Sequence, residues 1–315
     1  MTAAEPIQTG QMTPARALRF RLQCALVQGL SALLEVVPPR VLLILADAAA
    51  RVTFVLWGSR RQIAVENILG AGIRSSVADA RTVARQAFRT LALMVVETII
   101  VRRRISRENW QGYVELRAPA EVEALLRQPG QGLIVASAHL GNWEVAALAA
   151  SMLKPTCASY RPFNNPYLDR VVRARREAEG LRLVARFRGD PMRFVRALVN
   201  GEIVALMADQ HAVYGERVSV QFFGRPAWAT KSVAMLHLTT RVPLLVASAV
   251  RVGPLRYALH VQGPVTVERS GDREKDAAAL MQALTSEIEA AVRRHPEQYM
   301  WAHRRWRIPR VAATS

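Results

Sequence analysis

After Pro129 short apolar runs alternate with stretches of helical periodicity, and this pattern constrains the fold more than any other feature of the chain. The runs fall at 133–138, 156–160, 203–207, 218–223, 244–250 and 257–261. Helical stretches lie between them at 143–152, 166–179, 191–200 and 231–240. Runs this short, without strict alternation and separated by helices, suit buried strands of a parallel sheet. An amphipathic helix over 272–294, with Leu280, Leu284 and Ile288 in register, closes the pattern. The expected class is α/β, with a central, mostly parallel sheet flanked by helices.

The N-terminal part reads differently. Residues 1–13 form a loose tail, and 14–58 an apolar pair of helices. The segment 22–34 carries no charge, but Glu35 and Pro38-Pro39 end it well short of the ~20 apolar residues a spanning helix needs. The second stretch, 41–58, contains Asp47 and Arg51. We read the pair as a helical hairpin that lies on or dips into a bilayer, against the alternative of a buried helix pair. Met1–Gly10 lacks the charged start and apolar core of a signal peptide. An amphipathic helix over 78–101 follows, closed by Arg102–Arg104 where positive charge suits the helix dipole. No linker separates it from the rest, so 59–315 is taken as one α/β domain.

Charge narrows the partners. The chain has 43 Lys and Arg against 25 Asp and Glu, a formal balance of +18, and all but Lys154, Lys231 and Lys275 of the basic residues are Arg. Such a surface suits a polyanion: nucleic acid, an anionic membrane or a phosphorylated lipid. Biased composition accounts for much of the excess. No zinc-finger spacing, aromatic RNA-binding block or helix-turn-helix pattern is present, which argues against nucleic acid. A G-x-S-x-G elbow and a P-loop are also absent. Cys24 and Cys157 form no CxxC pair and read as packing residues of a reduced protein.

The stretch richest in chemistry is Gly132-Leu-Ile-Val-Ala-Ser-Ala-His-Leu-Gly-Asn-Trp-Glu144. His139 follows an apolar strand, where α/β sheets place catalytic groups. Gly141 permits a tight turn, and Asn142 suits the N-cap of the next helix. On a continuous helix His139 and Glu144 would point apart, so they meet only if the chain bends at Gly141-Asn142. The carboxylate would then hold one imidazole nitrogen, leaving the other to take a proton from a hydroxyl. A second His-x4-Glu pair, His211 and Glu216, lacks the strand–turn–helix setting and reads as loop.

Ala138-His-Leu-Gly-Asn-Trp-Glu144 resembles the HX4(D/E) block of the lysophospholipid acyltransferase superfamily, and more closely the late acyltransferases of lipid A biosynthesis. Four more blocks resemble that family in order: Arg60-Arg-Gln-Ile-Ala-Val-Glu-Asn67; Tyr160-Arg-Pro-Phe-Asn-Asn-Pro-Tyr-Leu-Asp169; Ala208-Asp-Gln210 with Val220-Gln-Phe-Phe-Gly224 and Ala229-Thr230; and Pro296-Glu-Gln-Tyr-Met-Trp-Ala-His-Arg-Arg-Trp306. The resemblance implies direct acyl transfer, without a cofactor or metal, from acyl carrier protein or coenzyme A to a glycolipid hydroxyl at the cytosolic face of the inner membrane. The acceptor implied first is a lipid A precursor; a phosphatidylinositol mannoside or another lipid is the alternative. His139 would be the base and Glu144 its orienting partner. Arg161, Asn142, Asp209 and Gln210 would bind substrate or oxyanion. From outside this class, a basic, non-enzymatic membrane- or nucleic-acid-binding protein is the rival.

Overall fold

The computed structural model describes residues 12–185, 192–212 and 217–306. Helices α1 (Pro14–Val36), α2 (Pro39–Leu56), α3 (Gly58–Gly70) and α4 (Val77–Arg104) precede the sheet. Strands β1 (Val114–Arg117), β2 (Leu133–Gly141), β3 (Thr156–Tyr160), β4 (Leu181–Ala185), β5 (Ile203–Met207), β8 (Leu244–Gly253) and β9 (Arg256–Gln262) form one seven-stranded sheet in the order β1-β9-β8-β2-β5-β3-β4. Every neighbouring pair is parallel except β8 and β9. A separate hairpin, β6 (Arg217–Phe222) and β7 (Arg225–Thr230), packs on α10 (Arg273–Arg294). Helices α5 (Ala120–Arg127), α6 (Trp143–Leu153), α7 (Pro166–Ala178), α8 (Met192–Val199) and α9 (Ser232–Thr240) complete the fold.

The expected α/β class and mostly parallel sheet are present. Side chains of β2 alternate across the sheet, as a strand requires. Ile134, Ala136, Ala138 and Leu140 pack with α9 and α10 on one side, while Leu133 and Val135 pack with α5 and α6 on the other. Because β2 is buried on both faces, it reads as a continuous apolar run.

The N-terminal helices correct one expectation. Pro38-Pro39 breaks the chain, but α1 and α2 do not close into a mutually packed hairpin; α1 lies against α7 and α4, and α2 runs along α4. Leu42, Ala46, Ala50 and Phe54, four residues apart, form the buried stripe of α2. This stripe finds its complement on α4, where Phe54 meets the Phe88 ring edge-on at 5.3 Å. Elsewhere both helices expose apolar side chains: Leu22, Leu26 and Leu30 on α1, and Ile44, Val55 and Leu56 on α2. Among the described residues no single helix is long and apolar enough to cross a membrane; α2 and α3 reach that length only together, across a 90° bend.

Candidate active site

Strand β2 runs three residues beyond its expected end and carries His139 within it. Its register against β8 shifts between Ser137 and Gly141. Gly141 has a positive φ of 64°, and a Cβ there would run into the Ala249 carbonyl, so only glycine fits this turn. Asn142 then caps α6 as expected: its Oδ1 accepts from the Val145 amide at 3.1 Å. Asn142 is itself fixed, since its Nδ2 donates to the Tyr257 hydroxyl at 3.3 Å and the Thr98 hydroxyl donates to its Oδ1 at 3.2 Å.

The carboxylate that meets His139 is Asp209. His139 Nδ1 lies 2.8 Å from Asp209 Oδ1, and the His139 amide donates to Asp209 Oδ2 at 3.0 Å. Register explains the meeting. β5 lies beside β2 with Ser137 opposite Met207, so two residues further along each chain His139 and Asp209 stand side by side. Asp209 is buried. Burial works against its charge, but the imidazole and the His139 amide outweigh that and hold its pKa below the usual carboxylate value. An ionised Asp209 places the proton on Nδ1 and leaves the lone pair on Nε2, which is the tautomer a base requires. Gln210 Nε2 lies 3.1 Å from that nitrogen.

The expected His139–Glu144 hydrogen bond is not made. Glu144 is the second residue of α6 and accepts from Arg102 at 2.7 Å and from Arg176 at 2.5 Å. The bend at Gly141-Asn142 does occur, but it turns Glu144 toward the end of α4 and toward α7. Arg102 also contacts Glu179 at 3.2 Å, whose pKa is raised by burial.

A cavity of about 250 Å³ adjoins these groups. Val135, Ala146, Leu181, Ile203 and Leu259 give it apolar walls. Ser137, Trp143, Glu144, Arg161 and Arg176 also line it. The Trp143 ring packs edge-on against His139 at 4.8 Å, so one side chain touches both the cavity and the imidazole. Arg161 is exposed at the rim and has no hydrogen bond or ion pair among the described residues. The Arg161–Asp169 pairing that the sequence allows does not form: Asp169 is fully buried and accepts from the Phe163 amide at 2.8 Å and the Tyr160 hydroxyl at 3.4 Å.

Two rival nucleophiles are occupied or inert. The Ser137 hydroxyl donates to the Ala247 carbonyl at 2.8 Å. Cys157 is buried, and burial pushes its thiol up to about 11. His211 donates its amide to His303 Nε2 at 3.3 Å, and Glu216 lies outside the described residues. No cluster of metal-ligating side chains occurs among the described residues.

The fold, the strand-end histidine and the cavity now stand beside a comparison with known families. The profile of the bacterial lipid A biosynthesis acyltransferases matches residues 11–308. The chain belongs to this family. It is 27% identical over 268 residues to the lipid A biosynthesis palmitoleoyltransferase of Escherichia coli strain K12, covering 81% of each chain. Against the lipid A biosynthesis lauroyltransferase of the same organism it is 28% identical over 209 residues, covering 65% of this chain and 64% of that one. A lipid A biosynthesis acyltransferase of Shigella flexneri is 27% identical over 268 residues.

Residues that sequence reasoning missed sit around this centre. Glu97 of α4 is fully buried, and its carboxylate accepts from Arg251 at 2.9 and 3.0 Å, from the Leu255 amide at 3.2 Å and from the Tyr257 hydroxyl at 2.6 Å. Through Tyr257 it reaches Asn142. The C-terminal Trp301 is 1% exposed and belongs to the core; Trp306 stacks on Phe222 at 5.6 Å.

Proposed function

We propose that this protein is an O-acyltransferase that moves a fatty acyl group from a carrier thioester to a hydroxyl of a lipid A precursor. The observation that carries the mechanism is the imidazole held through Nδ1 by buried Asp209, with Nε2 directed away from that carboxylate. His139 Nε2 removes the proton of the acceptor hydroxyl. The oxygen attacks the thioester carbonyl, the tetrahedral intermediate collapses with loss of the thiolate, and the imidazolium returns its proton to sulfur. An acyl ester and a free carrier thiol result, with no acyl group carried by the enzyme. Asp209 holds the imidazole and stabilises its charged form.

The apolar cavity takes the acyl chain. Arg161, at the rim and without a hydrogen bond or ion pair among the described residues, is placed for the oxyanion or a phosphate of either substrate. Asn142 fixes the start of α6, and Gln210 covers Nε2 until the hydroxyl arrives. In this reading Glu144 does not orient the base; from the cavity wall it ties Arg176 to Arg102 of α4. Acyl carrier protein is the donor that the basic surface favours, because it is acidic. The exposed apolar faces of α1 and α2, fringed by Arg16, Arg19, Arg40 and Arg51, hold the enzyme on the inner leaflet of an anionic membrane with the site toward the cytosol.

The test incubates purified protein with a lipid A precursor and either acyl-acyl carrier protein or acyl-coenzyme A, and reads the lipid by mass spectrometry. A gain of one ester-linked acyl group, lost in His139→Ala, supports the proposal. Transfer to another glycolipid, with none to the lipid A precursor, would replace the acceptor. No transfer from either thioester would overturn the reading.

A further inference from the structure

Strand β2 leaves its regular ladder where it carries the proposed base. Strand β5 ends at Met207, opposite Ser137. Against β8 the strand advances four residues, from Ser137 to Gly141, while β8 advances two, from Ala247 to Ala249. A bulge of this kind takes backbone groups out of the ladder, and other partners must meet them. The Asp209 carboxylate takes the His139 amide at 3.0 Å. The C-terminal segment takes the other side of the same residue. The Met300 amide donates to the His139 carbonyl at 3.0 Å, and Leu140 and Tyr299 form an antiparallel bridge.

Tyr299 and Met300 belong to no strand of the seven-stranded sheet, so their place depends on what grips the segment around them. Asn67 of α3 is half-buried, and its Nδ2 donates to the Trp301 and His303 carbonyls, both at 2.8 Å. A carboxamide nitrogen carries two hydrogens, and both are used here. Arg60, two turns earlier on the same face of α3, donates to the Ala302 carbonyl at 3.1 Å. Three successive carbonyls, 301 to 303, are thus held from one helix. The path from Asn67 to the imidazole is a chain of hydrogen bonds and backbone: Asn67 to Trp301, Met300 to His139. Neither Asn67 nor any residue of 296–306 lines the cavity.

We infer that Asn67 is a positioning residue for acyl transfer: by gripping the Trp301 and His303 carbonyls it holds the 299–300 backbone against His139 and so fixes where the imidazole stands. This rests on the reading of His139 as the base. A reacting group misplaced by about 1 Å can cost about 10²-fold in rate. A residue outside the cavity leaves substrate affinity alone, so the loss should fall on kcat.

The experiment uses the full-length enzyme in detergent and measures the thermal midpoint, kcat and both KM values for Asn67→Asp, Asn67→Ala, Val122→Ala and His139→Ala, at a temperature where each is folded. Asn67→Asp keeps the shape of the side chain but removes both donated hydrogens. Val122 is fully buried on α5 and does not line the cavity, so Val122→Ala shows what lost stability alone does to turnover. Asn67→Asp and Asn67→Ala are expected to lower kcat about 10–100-fold with both KM values within about twofold. Val122→Ala should lower the midpoint with kcat within about twofold of the parent. If both Asn67 variants keep a kcat as high as that of Val122→Ala, or raise KM at unchanged kcat, the inference is overturned. Should Asn67→Asp fail to fold, Asn67→Ala decides alone. If His139→Ala leaves kcat unchanged, the base assignment itself fails, which is a distinguishable result.

Discussion

Helix α1 and the centre around His139 spend their residues in opposite ways. α1 turns leucines outward: Leu26 is 73% exposed and Val36 78%. The centre turns charge inward: the Asp209 side chain is 3% exposed and Glu97 is fully buried. Each choice would be costly in isolation. Buried charge is tolerable only when every oxygen has a donor, and Glu97 and Asp209 both meet that condition. Exposed apolar surface is tolerable when something apolar covers it, and for α1 and α2 we propose a bilayer.

Breaking the polar side should have the larger effects. His139→Ala should lower transfer by about 10²–10⁴-fold, the usual cost of removing a general base, with the fold intact by circular dichroism. His211→Ala serves as control and should be much milder; the reverse order would mean that the wrong histidine was chosen. Glu97→Ala would leave the half-buried Arg251 and the buried Tyr257 without their shared acceptor. It should destabilise the protein by about 3–5 kcal/mol, read as a lowered thermal midpoint. A midpoint within a degree or two of the parent would show that the network carries little stability.

The apolar side can be tested without touching the chemistry. Leu22→Ser with Leu26→Ser removes two exposed leucines from α1, each worth about 1.5–3 kcal/mol when covered. Binding to vesicles of anionic lipid should weaken at least about tenfold while thermal stability stays near that of the parent. Unchanged vesicle binding would take α1 out of the attachment. The smallest effect is expected at the rival nucleophiles. Ser137→Ala and Cys157→Ala should keep acyl transfer, and mixing with donor alone should trap no acyl-enzyme. A stoichiometric acyl-enzyme lost in either variant would replace direct transfer with a two-step exchange.

Much of the fold was legible because β2, β5 and β8 are buried on both faces and so read as uninterrupted apolar runs. Two strands of the sheet left no such trace. β1 and β4 are its edges, and their sequences, Val-Glu-Leu-Arg and Leu-Arg-Leu-Val-Ala, carry the charges that keep edges from pairing with other chains. At the site, His139, the glycine turn and the Asn142 cap could be read locally. The carboxylate partner could not, because Asp209 is 70 residues away and meets His139 only through the parallel register of β2 and β5. The signal that could have found it is that both runs end in a polar residue at the same height. The nearer acid, Glu144, had the right spacing, but the arginines of α4 and α7 hold it elsewhere. The uncharged run of α1 was legible, but it suited a buried helix as well as an exposed one, and its separation from α2 depended on which helix α4 would accept.

The most direct test compares Asp209→Asn with Glu144→Gln under single-turnover conditions, at saturating donor and acceptor. Both substitutions preserve size and remove charge. If Asp209 orients the base, Asp209→Asn should slow acyl transfer about 10²-fold or more, while Glu144→Gln should act mainly on KM and leave the chemical step within about tenfold. A chemical step abolished by Glu144→Gln and little changed by Asp209→Asn would contradict this account and restore the carboxylate five residues after His139 as its partner.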